Sequence, residues 1–318
     1  LESFSKKYKF SFSEKKIQKY KKFKFFRIIG IGGSSLGAEA IYSFLNNKIK
    51  KKFIFLNNLN LKDNKKTKDK LFNIVLRTIA NQIKGEIFDH NNYIGGRYSV
   101  LSETGMLPAC LMGLDYKKFK NFDSLIKKRS FTDQLILNVS KILEFNKKKI
   151  TNSIILNYDI NSQELFSWYQ QLVAESLGKK SNGILPIVSL MPKDNHSLMQ
   201  LYLNDNKNNF YTFFFVEDSL SDTIKKKDLL KSHQYLRNKK NIEVLKSQFL
   251  ATQNIFKRRK IPFRSFTIKK RNEESLGELF IFFMLETIMI GRALKLNPFN
   301  QPAVELIKQE TKKILLKS

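Results

Sequence analysis

Two hydrophobic rhythms alternate along this chain. Short apolar runs rich in β-branched and aromatic residues are separated by stretches in which apolar positions return every three or four residues. That alternation predicts an α/β fold with mainly parallel sheets, since each helical stretch can carry the chain back to start the next strand. Phe25–Ile31 reads as a buried strand running into a glycine turn, followed by a helix from about Ser34 to Asn46 and a second strand over Phe53–Leu56. The pattern then predicts a helix over Thr67–Ile83, a short strand at Glu86–Phe88, and helices over Gly105–Met112, Tyr116–Lys127 and Asp133–Lys147. A second unit of the same kind follows. It has strands at Ser153–Leu156, Ile184–Leu190, Phe210–Val216 and Phe263–Ile268, and a helix over Ser162–Leu177 closed by Gly178. Glu217–Lys240 is polar and lysine-rich and reads as an exposed excursion, and helices over Ile242–Arg259, Glu273–Leu294 and Pro302–Leu316 complete the pattern.

At 318 residues the chain is long enough for two domains with cores of their own. They are expected at 1–140 and at 141–318, the second including the C-terminal helices. A hydrophobic fraction of 42% excludes a disordered chain. The net charge of +30 suggests a nucleic-acid partner, but the lysines are spread along the whole chain among many Asn, Ile and Phe. All four residue types have A/T-rich codons, so codon bias accounts for the excess, and no recognised nucleic-acid reader motif is present. Such a surface still attracts small anions. Cys110 is the only cysteine, which excludes an intrachain disulfide and fits a reducing cytoplasm. The longest apolar run, Leu279–Ile290, is too short to span a bilayer and contains Glu286, so it predicts a buried helix and no membrane partner. The chain opens on Leu1, which predicts that a piece precedes it.

Five segments could carry chemistry. Gly30-Ile31-Gly32-Gly33-Ser34-Ser35-Leu36-Gly37 lies between a strand and a helix, where backbone N–H groups and the helix dipole point at an anion. It lacks the Gly-Lys-Ser/Thr of a nucleotide-binding loop and the third glycine of a dinucleotide fingerprint, so neither ATP nor NAD fits. Gly95-Gly96-Arg97 sets a fork of donors on a tight turn, suited to a phosphate, a carboxylate or a developing oxyanion. Gln171 and Glu175, four apart, share one helix face, which makes Glu175 a candidate general base. Gln301, Glu305 and Lys308 lie along one stripe of the last helix, and His196 stands at a helix start. The three histidines, His90, His196 and His233, form no metal-ligand spacing, so no metal site is expected.

Together, residues 30–37, Ile-Gly-Gly-Arg-Tyr-Ser (94–99), Gln-x-x-x-Glu-Ser-x-Gly-Lys (171–179) and Pro-Phe-Asn-Gln-x-x-Val-Glu-x-x-Lys (298–308) resemble, in order, the glucose-6-phosphate isomerase family. The resemblance implies two sugar-isomerase-type three-layer αβα domains, a homodimer, a glycolytic and gluconeogenic reaction on a small sugar phosphate, and no cofactor. It further implies that Glu175 moves a proton between C2 and C1 through an enediol(ate) and that Arg97 stabilises the oxygen anion. His196, contributed across the dimer interface, and Lys308 would assist ring opening. Gly33, Ser34, Gly96, Gln171 and Gln301 would bind substrate and phosphate. The chain departs from the family pattern modestly at Ala303 and Asn195, and more seriously between Asn58 and Glu86. There the family carries a further strand and a Ser/Thr-rich phosphate loop, whereas this interval has no serine and only Thr67 and Thr78. A shortened first domain is therefore expected. The alternative to a competent isomerase is a sugar-phosphate-binding module or a degraded, weakly active enzyme.

Overall fold

The computed structural model describes residues 2–57, 71–74, 86–181, 183–205, 207–218, 221–225 and 230–316. Its strands are β1 (Phe25–Ile29), β2 (Lys52–Leu56), β3 (Leu71–Ile74), β4 (Asn152–Asn157), β5 (Leu185–Leu190), β6 (Asn209–Val216) and β7 (Phe263–Ile268). The longer helices are α1 (Leu36–Phe44), α2 (Glu103–Leu111), α3 (Arg129–Lys147), α4 (Gln163–Leu177), α5 (Asn241–Arg258), α6 (Glu273–Ala293) and α7 (Pro302–Leu315). The strands form two sheets, in the orders β2-β1-β3 and β5-β4-β6-β7, and all their pairings are parallel.

Alternation within the strands decides which layer each side chain joins. In β6, Tyr211, Phe213 and Phe215 face one core, where Phe249 and Phe256 of α5 cover them. Phe210, Phe214 and Val216 face the other. There they share a continuous core with Phe26 and Ile28 of β1, Ile41 and Phe44 of α1, Leu165 and Leu172 of α4, and Phe280 and Phe283 of α6. The second sheet is thus sandwiched between layers, and the α/β architecture matches the expectation.

Three local expectations change. Leu71–Ile74, expected inside a helix, is β3, with Phe72 level with Phe26 of β1. A four-residue stretch with three apolar positions satisfies either period, and pairing with the neighbouring strand decides it. The remainder of 67–83 lies outside the described residues. The interval that departs from the family pattern therefore retains a strand. Glu86–Phe88 is irregular rather than a strand, with Glu86 held by Lys19 and by the Tyr20 hydroxyl. The helix expected over 116–127 is a 3₁₀ turn (Tyr116–Phe119) and a short helix (Phe122–Leu125), broken where Lys120 leaves helical geometry with ψ 83°. Gly178 ends α4 as expected, yet its φ is −70°, so it does so without a left-handed residue.

Two buried ion pairs hold the layers together. Glu286, the acid inside the apolar run of α6, meets Arg264 of β7, which also donates to Thr212 (3.0 Å) and Asn138 (3.1 Å). Arg271 donates to Asp159 (2.7 Å) and to the Phe44 carbonyl (3.0 Å), joining the end of α1 to the loop after β4. Asp159→Ala is expected to destabilise the fold by about 3–5 kcal/mol, because it strands a buried guanidinium. Arg271→Met added to Asp159→Leu should recover most of that loss. Urea unfolding of the two variants checks this, and equal midpoints for wild type and Asp159→Ala would show that the pair is not structural. No helix among the described residues is long and apolar enough to cross a membrane.

Candidate active site

The glycine loop follows the carboxyl end of β1, the edge at which open parallel sheets form their binding crevices. Gly32, at φ +61°, takes a left-handed conformation that favours glycine, and a Cβ there would meet the Gln171 amide at 2.8 Å. Gly33 lies against the Gly95-Gly96 turn, where a Cβ would come within 2.3 Å of the Gly96 carbonyl carbon. Two glycine turns, far apart in the chain, thus cross backbone to backbone, and α4 passes close enough to add its side chains. The Ser34 hydroxyl donates to the Ile31 carbonyl (2.9 Å), closing the first turn.

Arg97 leaves the second turn, and 2% of its surface is exposed. Its Nε donates to Ser176 Oγ (2.9 Å), and its Nη1 donates to Glu175 Oε2 (3.1 Å) and to Gln301 Oε1. Its Nη2 donates to the carbonyls of Pro298 (2.8 Å) and Asn300 (3.0 Å). These bonds use all five N–H groups of the guanidinium. The sequence suggests a fork open to a ligand. In the structure it is occupied, because the carboxylate of α4 and two carbonyls of the 298–301 loop converge on it. Gln171 donates to the other oxygen of Glu175 (2.8 Å), so the carboxylate is aimed from both sides while remaining partly exposed.

Arg97, Glu175, Gln171, Gln301, Gly33 and Gly96 therefore meet, with Ser34 next to Gly33 on the same turn. His196 and Lys308 are not among the groups that meet Arg97. His196 is exposed on a short helix (Asp194–Ser197) beyond β5. Lys308 is exposed two turns along α7 from Gln301. Among the described residues no group of three His, Cys, Asp or Glu gathers as a metal site would require.

Four groups at the site have no role in the sequence reading. Ser176 receives Arg97 and exchanges a hydrogen bond with the Tyr98 hydroxyl (2.9 Å). Tyr98 also donates to the Pro298 carbonyl (3.2 Å), and burial raises its pKa. Lys179 donates to the carbonyls of Ser176 (3.0 Å) and Asn297 (2.5 Å), and desolvation, helped by Arg97, lowers its pKa. Glu39 of α1 is buried beside the glycine loop, accepts from Asn57 (2.9 Å), and has a pKa raised by burial. Tyr98, Ser176 and Lys179 lie inside the matched strings. Glu39 is signalled only by a lone acid in an apolar helix.

Chemically, the cluster offers one carboxylate next to a buried fixed cation. It can accept a proton from a carbon acid and hold the charge that results.

A hypothetical protein of Thermus thermophilus superposes with TM-score 0.82 at 22% identity, covering 95% of this chain and 87% of its own. A glucose-6-phosphate isomerase structure from Chlamydia trachomatis superposes with TM-score 0.74 at 16% identity, covering 92% and 70%. These likenesses show a shared α/β fold. A curated glucose-6-phosphate isomerase of Mycoplasmopsis pulmonis is 33% identical over 231 residues, 70% of this chain and 54% of that protein. By sequence the chain is similar to curated glucose-6-phosphate isomerases over about 70% of its length. It spans about half the length of the curated relatives it matches. No family model matches it.

Proposed function

We propose that the chain is an aldose–ketose isomerase interconverting glucose 6-phosphate and fructose 6-phosphate. In this reading Glu175 carries the proton between C2 and C1, and Arg97 stabilises the enediolate oxygen once the substrate displaces Gln301 from its Nη1. Gly33, Ser34, Gly96, Gln171 and Gln301 hold the sugar phosphate, while Lys308 and His196 serve ring opening. His196 then acts in a homodimer, delivered by the partner copy, which is consistent with its exposure away from the Arg97 cluster. The division into domains at 1–140 and 141–318, and a place in the cytoplasm in glycolysis or gluconeogenesis, belong to the same reading. The contact that carries it is Arg97 Nη1 to Glu175 Oε2 at 3.1 Å, joining residues 78 positions apart.

A second reading is a sugar-phosphate-binding module without turnover. It is favoured by the fully engaged Arg97 fork and by the absence of serine from 58 to 86. The decisive experiment supplies fructose 6-phosphate to the purified chain and follows glucose 6-phosphate through a coupled dehydrogenase, beside calorimetry with 6-phosphogluconate. Sustained turnover is expected. Binding with no turnover establishes the second reading, and neither binding nor turnover removes both.

A further inference from the structure

Beneath the N-terminal segment lies a cavity of about 1030 Å³, bounded by residues from Lys6 to Glu14, by the Tyr116–Asn121 turn and by the first turn of α6. Lys120 forms part of its wall and is 2% exposed. Its Nζ has no hydrogen-bond partner among the described residues. It lies instead over two rings, 4.1 Å from the centroid of Tyr8 and 4.0 Å from that of Phe10. Tyr116 packs against Phe10 at 5.3 Å, extending the aromatic wall. Lys6, Lys117 and Lys128 are exposed at the margin of the cavity. As a purely structural element Lys120 is a poor choice, because an amine buried without an acceptor costs free energy that a methionine of similar length would not. Nothing in the proposed isomerisation uses it.

We propose that Lys120 is a carbonyl-capturing amine, forming an imine with a phosphorylated aldehyde whose phosphate is held by the lysines at the cavity margin. The neutral amine attacks the carbonyl carbon to form a C–N bond. The resulting carbinolamine loses its oxygen as water together with the two hydrogens of the amine, leaving C=N with no change of oxidation state. One further feature supports this. Burial brings the pKa of Lys120 down to about 7, with the Glu103 carboxylate opposing the shift. At neutral pH its free-amine fraction is thus roughly 10³ times that of an ordinary surface lysine. The groups facing it are the rings of Tyr8 and Phe10, with Glu103 held behind the Tyr8 hydroxyl (2.8 Å), while Glu14, Glu274 and Glu278 stand at the opening. Because Nζ is enclosed against the two rings, capture requires Tyr8 or Phe10 to shift aside.

The test treats the full chain at pH 7 with substoichiometric pyridoxal 5′-phosphate, and separately with glyceraldehyde 3-phosphate, reduces with borohydride, and maps the labelled peptides. Label at Lys120 should exceed that at any other lysine by about tenfold or more, since its free-amine fraction is so much larger. Pyridoxal without phosphate should label it several-fold more slowly, and Phe10→Ala should speed labelling. Lys120→Met, which relieves a buried amine and should fold as well as wild type by thermal melt, should lose the dominant label. Preference for pyridoxal 5′-phosphate over glyceraldehyde 3-phosphate would identify the aromatic wall as part of the site, and the reverse order would identify an aliphatic ligand. Label scattered over many lysines, no dependence on the phosphate, or an unchanged pattern in Lys120→Met would overturn the proposal.

Discussion

Glu175→Gln is expected to lower the proposed isomerisation by about two to four decades, the contribution of one positioned base. Glutamine keeps the volume of the side chain and can still accept from Arg97, so the α4 backbone has no reason to move. What disappears is the one group in the cluster able to take a proton from carbon. The remaining acceptors around Arg97 are a hydroxyl, an amide and two carbonyls, none basic enough to replace it. Loss should therefore fall on kcat, while 6-phosphogluconate binding stays within a few-fold. Full turnover in this variant would assign the base to another residue, with Glu39 next to be tested. A parallel collapse of binding would mean that Glu175 positions the substrate instead.

Arg97→Met should damage both the site and the fold. Removing one partner of a buried ion pair costs about 3–5 kcal/mol. In a chain of this size that corresponds to a fall in Tm on the order of 10 °C. Here the loss also frees the Asn300 carbonyl and leaves the Pro298 carbonyl to the Tyr98 hydroxyl alone, weakening the tie between the start of α7 and the turn at Gly96. Amide exchange should accelerate in 297–304 more than in β4 or β6, and turnover should be undetectable. Arg97→Lys cannot reach five acceptors from one ammonium and should recover only part of the stability. A Met variant that melts with wild type and keeps 297–304 protected would show that the loop is held by something else.

The readable parts of the fold are those with a strong period. β1, β4, β6 and the helices α3 to α6 lie where their apolar spacing puts them, because each buries a face that only one geometry can bury. Leu71–Ile74 escapes such a reading because four residues are too few to carry a period of their own. The break at Lys120 escapes it because a helical pattern of apolar residues continues through it, while in the structure the backbone leaves helical geometry there and the Lys120 amine rests over the rings of Tyr8 and Phe10.

The candidate site divides in the same way. Each of its strings is legible as a local structure: glycines where a backbone must turn or approach closely, an acid and an amide one helical turn apart, a proline opening the last helix. Composition and periodicity also determine two parallel α/β units, since these are local preferences repeated along the chain. Only the tertiary structure decides that the guanidinium of Arg97 is spent on five partners rather than held open, that Glu175 is the carboxylate it meets, and that Lys120 is enclosed without an acceptor. Those facts depend on which surfaces come together across 78 and 204 positions of sequence, and the order of residues along a helix or turn does not encode such meetings.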